Sequence, residues 1–130
     1  MNRYVTAAAA AWLLFAGPSA LANHMESVIA VNYLTVEVVM ADPLTEEETD
    51  PLRWDENHPI FVFSEGVEMT GAPYPFAVRG FPNTYRIPVN GLDTDIIYKI
   101  SYRDQKALTF KAYEEREMEE RYRRRYGNYF

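Results

Sequence analysis

The clearest structural pattern in the chain is DIIYKISYRDQKALTFKAY, residues 95–113. From Ile96 to Tyr102 every second residue is large and apolar, and most residues between them are polar. After a short polar turn, residues 107–113 repeat this alternation. Two alternating runs joined by a polar turn predict an antiparallel β-hairpin with one face on the core.

Earlier segments also have strand character. Residues 27–40 are rich in β-branched side chains, and the even-numbered positions from Leu34 to Met40 are apolar, so we predict one long, half-buried strand. Residues 59–69 and 84–89 predict further strands, with nearby prolines confining strands to sheet edges. The expected fold is all-β, a small antiparallel β-sandwich of five to seven strands with immunoglobulin-like or transthyretin-like architecture.

An aromatic and proline-rich segment precedes the strand at residues 84–89. We expect its rings to fill the edges of the core, although an exposed cluster of such rings would mark an interface. The rings in question are Tyr74, Phe76, Phe81 and Tyr85.

The acidic loop, residues 42–58, carries seven acids and two prolines and shows neither a helical nor a strand period. A connection of this length in a compact domain is either functional or mobile. We expect Leu52 and Trp54 to hold it to the body of the domain. Its carboxylates are candidate Ca²⁺ ligands, but the D-x-D-x-D-G spacing of a calcium loop is missing.

Charge is unevenly distributed along the chain. Residues 26–68 carry eleven acids against Arg53 alone, a net charge of −10, whereas residues 79–130 carry eleven bases and eight acids, a net charge of +3. Such a polarised molecule favours oriented association with a protein partner or with its own copies. The alternative interpretation is that the acids belong to solvated loops.

The chain ends in EEREMEERYRRRYGNYF, residues 114–130. Glutamates precede arginines at i,i+4 spacing, which supports a helix that ends near Gly127. One narrow stripe of the helix is apolar, and we expect it to lie on the sandwich or on another subunit. The candidate partner-binding residues are Met118, Arg121, Tyr122, Arg124, Arg125 and Tyr126.

The first residues have the pattern of a bacterial secretory signal. Arg3 precedes an apolar run at residues 5–16, which is too short to span a bilayer, and Ala20 and Ala22 fit an A-x-A cleavage site. We predict a signal peptide at residues 1–22, cleaved after Ala22, and export to the periplasm or the cell exterior. No further segment is long and apolar enough to span a membrane.

Cleavage leaves one domain's length of chain, in which residues 23–113 form the predicted sandwich and residues 114–130 the helical tail. The sequence has no cysteine, so the domain must gain its stability from apolar burial without disulfides.

Motifs for catalysis are missing. The chain contains no cysteine nucleophile, no G-x-S-x-G elbow and only two imidazoles, His24 and His58. It has no phosphate-binding glycine motif, so we expect no nucleotide cofactor. Residues 111–130 hold six bases and five acids, which is no basic footprint for nucleic acid. We therefore expect a non-enzymatic protein.

Metal binding has one candidate at the predicted mature N-terminus. Cleavage after Ala22 would expose Asn23, His24 and Met25, so that a free amine, an imidazole and a thioether could serve as copper ligands. An ordinary frayed terminus is the alternative interpretation.

The sequence thus predicts an exported, non-catalytic binding or assembly protein of the cell envelope. It would dock on a protein partner through its acidic loop and its C-terminal helix. The first alternative is a periplasmic copper-handling protein that uses His24 and Met25. A hydrolase of envelope polymers, which would need paired carboxylates in a cleft, is the less favoured alternative.

Overall fold

The computed structural model describes residues 22–127. The predicted signal peptide, apart from Ala22, lies outside them, as do Tyr129 and Phe130. The described part of the chain forms seven strands and two helices. They are β1 (Met25–Asn32), β2 (Thr35–Met40), α1 (Glu46–Thr49), β3 (Phe61–Phe63), β4 (Tyr74–Pro75), β5 (Thr84–Pro88), β6 (Ile97–Tyr102), β7 (Leu108–Lys111) and α2 (Glu115–Tyr126).

The strands form two antiparallel sheets, one in the order β1-β2-β5-β4 and the other in the order β3-β6-β7. One core receives side chains from both sheets, among them Val36 and Ile87 from the first and Phe61 and Ile100 from the second. Both sheets present alternating apolar residues to this core, because successive side chains of a strand point to opposite faces. The prediction of a small all-β fold with a C-terminal helix is confirmed.

The hairpin of residues 95–113 is also confirmed. Strands β6 and β7 pair antiparallel, with Tyr98 opposite Phe110, and these two rings stack with their centroids 5.4 Å apart. Tyr98, Ile100 and Tyr102 are buried, while Ile97 and Lys99 on the opposite face are exposed. The period of two therefore reports the buried face of the sheet correctly.

The single long strand predicted at residues 27–40 is wrong, because this segment is a hairpin. Strands β1 and β2 pair with each other around a turn at Tyr33 and Leu34. The side-chain Oδ1 of Asn32 accepts a hydrogen bond of 2.8 Å from the Leu34 amide, which is an Asx turn. Leu34, expected on the core face, is 60% exposed at this turn.

Strand β2 is buried on both faces, whereas the sequence predicted one buried face. Its inner residues Val36 and Val38 are fully buried, but so are Glu37 and Val39 on the opposite face. The outer face is covered because α2 packs against the neighbouring strand β1. The fold therefore has a third, helical layer on the larger sheet.

The acidic loop is anchored near its start. Leu44 is buried, and its amide donates a 2.9 Å hydrogen bond to the Tyr85 hydroxyl. Trp54 is half-buried and packs against the core, as predicted. The same prediction for Leu52 is wrong, because its side chain is 94% exposed.

Candidate functional site

The apolar stripe of α2 covers the chain's own domain. Met118 is 1% exposed and belongs to the core, and Tyr126 is fully buried. The Tyr126 ring meets Phe81 edge-on at 5.2 Å and Tyr122 at 4.8 Å. The large apolar area that these side chains remove from water stabilises the docked helix.

A buried polar cluster ties the helix to the outer face of the larger sheet. Cα pairing places Glu37 of β2 opposite Arg86 of β5, so their side chains lie on the same face. Glu37 Oε1 accepts hydrogen bonds from Arg86 Nε at 3.0 Å and from the Tyr122 hydroxyl at 2.9 Å. Arg86 Nη2 also donates to that hydroxyl at 3.2 Å. Glu37, which is 1% exposed, thus has both a charge partner and a hydroxyl donor.

Two aromatic side chains lie beside this cluster, in which the buried Glu37 Oε2 receives no hydrogen bond from a described residue. The Arg86 guanidinium lies 3.6 Å from the centre of the Phe76 ring, in cation–π geometry. Burial raises the pKa of Tyr126 to about 12, and the nearby Glu37 carboxylate adds to the rise. The tyrosine hydroxyl is therefore neutral at physiological pH, and the cluster serves to hold the helix in place.

The six predicted partner-binding residues consequently divide into two groups. Met118, Tyr122 and Tyr126 pack on the chain's own domain, and Arg125 Nη2 donates a hydrogen bond to Ser27 Oγ. Of the two surfaces expected for the apolar stripe, the helix therefore covers its own sandwich, where the Glu37–Arg86 pair supplies polar partners inside the interface.

The remaining two residues face solvent in part and pair along the helix. Arg121 lies 3.0 Å from Glu117, and Arg124 lies 3.7 Å from Glu120. A role of these arginines in partner binding stays a prediction.

The acidic loop is held by a second polar cluster. Glu48 Oε2 accepts hydrogen bonds from the Tyr102 hydroxyl and from Arg103 Nη2, both at 2.6 Å. Its Oε1 accepts from the Thr45 amide at 2.9 Å, which completes a capping box at the start of α1. Burial raises the pKa of Glu48, but the hydrogen bonds from Tyr102, Thr45 and Arg103 outweigh it and bring the pKa below its ordinary value of 4.5. The loop is therefore fastened to β6 by an ionised carboxylate.

Beyond this anchor the loop displays one large aliphatic side chain among carboxylates. The Leu52 amide donates to Asp50 Oδ1 at 2.9 Å, which fixes the tip around the exposed side chain. Arg53 lies 3.8 Å from Glu47 and 3.6 Å from Asp50, in exposed contacts that contribute little energy. The tip is thus an ordered, acidic surface with an apolar centre.

The structure separates the two candidate copper ligands. His24 is exposed, but Met25 lies in the core opposite Met40, with 6% of its surface exposed. A buried thioether cannot reach a metal held at the surface by His24. Among residues 22–127 no group of three or more His, Cys, Asp or Glu side chains could hold a metal ion. Copper binding by the terminal amine and His24 stays a prediction.

A cleft of about 470 Å³ opens beside β3. It lies where the chain crosses between the sheets: the Val67 amide bonds to the Ser64 carbonyl, and Met69 then bridges to Val89 beside β5. Its lining includes Phe61, Phe63, Val67, Met69, Glu56 and Glu68. The sequence predicts a strand over residues 59–69, but the chain leaves β3 after Ser64 through a turn in which Glu65 and Gly66 have positive φ. Gly66 is the local signal of this turn, whereas the cleft beside it has none.

Across residues 22–127, no helix combines the length and the apolar character that crossing a membrane requires.

Comparison with known proteins gives a structural likeness but no family. No protein-family model matches the chain, and no curated protein matches it. Among solved structures, domains 1–6 of the surface layer protein SbsC are similar, with 16% sequence identity and a TM-score of 0.47. The structure of the S-layer protein rSbsC(31-844) gives the same values. Each match covers 74% of this chain but only 14% of the S-layer chain.

Proposed function

We propose that the protein is an exported, non-catalytic binding module of the cell envelope, which docks on a protein partner through its acidic loop. Export rests on the signal pattern of residues 1–22, with Arg3 before a short apolar run and a small-residue cleavage site. The observation that carries the binding role is the ordered tip of the acidic loop. There Leu52 is 94% exposed and its amide donates to Asp50, on a loop that Glu48 fastens to the sandwich.

The energetics of the loop support a role in recognition. A loop already held in one conformation loses little conformational entropy when it meets a partner, so more of its contact energy remains as affinity. The surplus of carboxylates would steer a basic surface toward it, and Leu52 would provide an apolar contact at the centre. The partner expected from this chemistry is a protein with a basic surface around an apolar pocket.

The position of His58 is in keeping with a binding role. His58 is exposed, and its Nδ1 pairs with Asp55 Oδ2 at 2.9 Å. The Asp55 carboxylate has its pKa lowered by the hydrogen bonds from His58 and from the Asn57 amide. This pair lies on the acidic loop and has neither an aligned nucleophile nor a donor pair for an oxyanion beside it among the described hydrogen bonds.

The test compares capture of envelope proteins by two matched variants. The loop variant carries Leu52→Ser, Glu46→Gln and Glu47→Gln. The control variant carries Ile97→Ser, Glu115→Gln and Glu119→Gln, which likewise changes one aliphatic residue and two glutamates, at exposed positions outside the loop. The free energy of unfolding of each variant should lie within about 0.5 kcal/mol of that of the unaltered protein, since surface substitutions have small effects.

The expected result is that the unaltered protein and the control variant retain the same envelope protein, measured by quantitative mass spectrometry. The loop variant should retain at least about tenfold less, since a hot spot loses 2 kcal/mol or more. Equal capture by all three proteins would show that the acidic loop is not the docking surface.

A further inference from the structure

We infer that the cleft beside β3 binds an extended, positively charged segment of a partner protein by β-strand addition. The inference rests on the proposed function and deepens it, because it names a second contact and the chemical class of the bound segment. It is carried by three observations: an open strand edge, core side chains in the floor of the cleft, and a rim of carboxylates that lack a basic partner.

The open edge follows from the register of β3 against β6. The Arg103 amide donates to the Ile60 carbonyl, and the Ser64 amide donates to the Lys99 carbonyl, each at 3.0 Å. Antiparallel strands alternate between hydrogen-bonded and non-hydrogen-bonded pairs. Residues 60, 62 and 64 therefore direct their backbone groups at β6.

Phe61 and Phe63 consequently direct their amides and carbonyls away from β6. Strand β3 is the outermost strand of its sheet, and no described protein group bonds to these four backbone groups. Two donors and two acceptors on one strand edge are the pattern that an incoming strand completes.

Side chains of the hydrophobic core form part of the floor of the cleft. Phe61, Val67 and Met69 line it, and each of them belongs to the hydrophobic core. Alternate side chains of an added strand would point at this floor, because strand side chains have a period of two. Valine-sized residues at those positions would gain apolar burial, and the cleft volume of about 470 Å³ lies in the range of natural ligand sites.

The carboxylates at the rim of the cleft favour a positively charged ligand. Glu56 and Glu68 line the cleft and are exposed. Among the described residues neither carboxylate has a basic side chain within ion-pair distance. Lysine or arginine at the outward positions of the added strand would supply their counter-charges, whereas an acidic strand would be repelled.

The opposite side of the sandwich explains why this edge is the one that receives a partner. On that side β1 contacts β7 directly, and α2 packs on β1, with Met118 in the core and Arg125 bonded to Ser27. That side is therefore closed, while within residues 22–127 no strand pairs with the outer edge of β3. Edge strands without cover are the usual sites of strand addition.

The experiment measures amide hydrogen exchange by NMR on the purified protein. The probe is a short peptide of alternating lysine and valine, blocked at both ends. Without peptide, the Phe61 and Phe63 amides should exchange fast, and the Val62 amide, which bonds to β6, should exchange slowly. At a peptide concentration about ten times the Kd, exchange of the first two amides should slow about tenfold. The Val62 amide serves as the internal control.

Two further arms separate strand addition from plain charge attraction. The same peptide N-methylated at alternate residues keeps its charge but loses hydrogen-bond donors on one edge, and it should give no protection of Phe61 and Phe63. The Glu56→Gln, Glu68→Gln double variant should bind the unmodified peptide about fivefold to tenfold more weakly, while Glu115→Gln, Glu119→Gln should bind it unchanged.

Absence of protection at Phe61 and Phe63 at saturating peptide would overturn the inference. So would equal binding of the N-methylated peptide, since charge alone would then explain the affinity, and so would equal binding of an alternating glutamate–valine peptide. Protection induced by a second copy of the chain, seen as concentration-dependent exchange without peptide, would also overturn it. In each case partner capture that depends on the acidic loop can persist, so the proposed function is tested separately.

Discussion

Glu37 shows how a single buried charge can hold an outer layer in place. Its carboxylate is taken out of water by α2 and receives Arg86 Nε and the Tyr122 hydroxyl in exchange. A buried ion pair adds little stability compared with an apolar pair of the same size. Removing one member is costly, however, because the other charge then stays buried without a partner. The stability of this layer therefore depends on the pair being complete.

The first prediction uses this asymmetry. Arg86→Met leaves Glu37 buried without its charge partner, so the free energy of unfolding should fall by roughly 3–5 kcal/mol. The double variant Glu37→Met, Arg86→Met removes both charges and should recover most of that loss. Urea unfolding followed by circular dichroism measures both variants. A double variant no more stable than the single one would contradict the pairing.

The second prediction concerns Glu48 and acid pH. Because the folded pKa of Glu48 lies below its ordinary value of 4.5, its ionised form stabilises the fold above that value, and this contribution is lost as pH falls through the folded pKa. Glu48→Gln should thus lower the free energy of unfolding by roughly 1–3 kcal/mol near pH 7. The difference between variant and unaltered protein should shrink once the carboxylate is protonated. A difference independent of pH would contradict the ionic anchor.

The packing of α2 on the domain should stabilise the fold less at alkaline pH. Tyr126 has a folded pKa raised from 10.0 to about 12, so the neutral hydroxyl stabilises the fold fully below pH 10.0, and this contribution is lost as pH rises toward 12. Urea unfolding at several pH values between 8 and 12 should show the unaltered protein losing more stability than Tyr126→Phe. Equal losses would mean that the Tyr126 hydroxyl ionises as readily in the folded protein as in the unfolded chain.

The elements that the sequence predicted well are those with local signals. The β6–β7 hairpin and α2 have regular periods of two and of about four over many residues, and both form as predicted. The sequence did not predict the β1–β2 turn, because its central residues, Tyr33 and Leu34, are neither glycine nor proline. The only local signal was Asn32, whose side chain caps the turn.

The candidate sites were harder to predict because the residues that form each of them are distant from one another in sequence. Glu37 reads as the polar face of a strand until Tyr122, 85 positions later, covers it. The exposure of Leu52 depends on Glu48 meeting Arg103, 55 positions later. Only the folded chain shows which apolar residues face solvent and which carboxylates are buried.

The first residues of the chain predict that the whole protein is exported. Expressed with its own N-terminus in a bacterium, the protein should be recovered outside the cytoplasm with Asn23 as its first residue. Fractionation and N-terminal sequencing measure this, and Ala20→Leu with Ala22→Leu is the matched variant that should block cleavage. Recovery of the uncleaved chain in the cytoplasm would contradict export.

The docking of a partner on the acidic loop is tested most directly by site-specific photo-crosslinking in the intact cell envelope. A photoreactive phenylalanine analogue would replace Leu52 in one form and Ile97 in a matched form, because both side chains are largely exposed. We predict one defined protein adduct from position 52 and none from position 97. No adduct from position 52, or the same adducts from both positions, would contradict the proposed function.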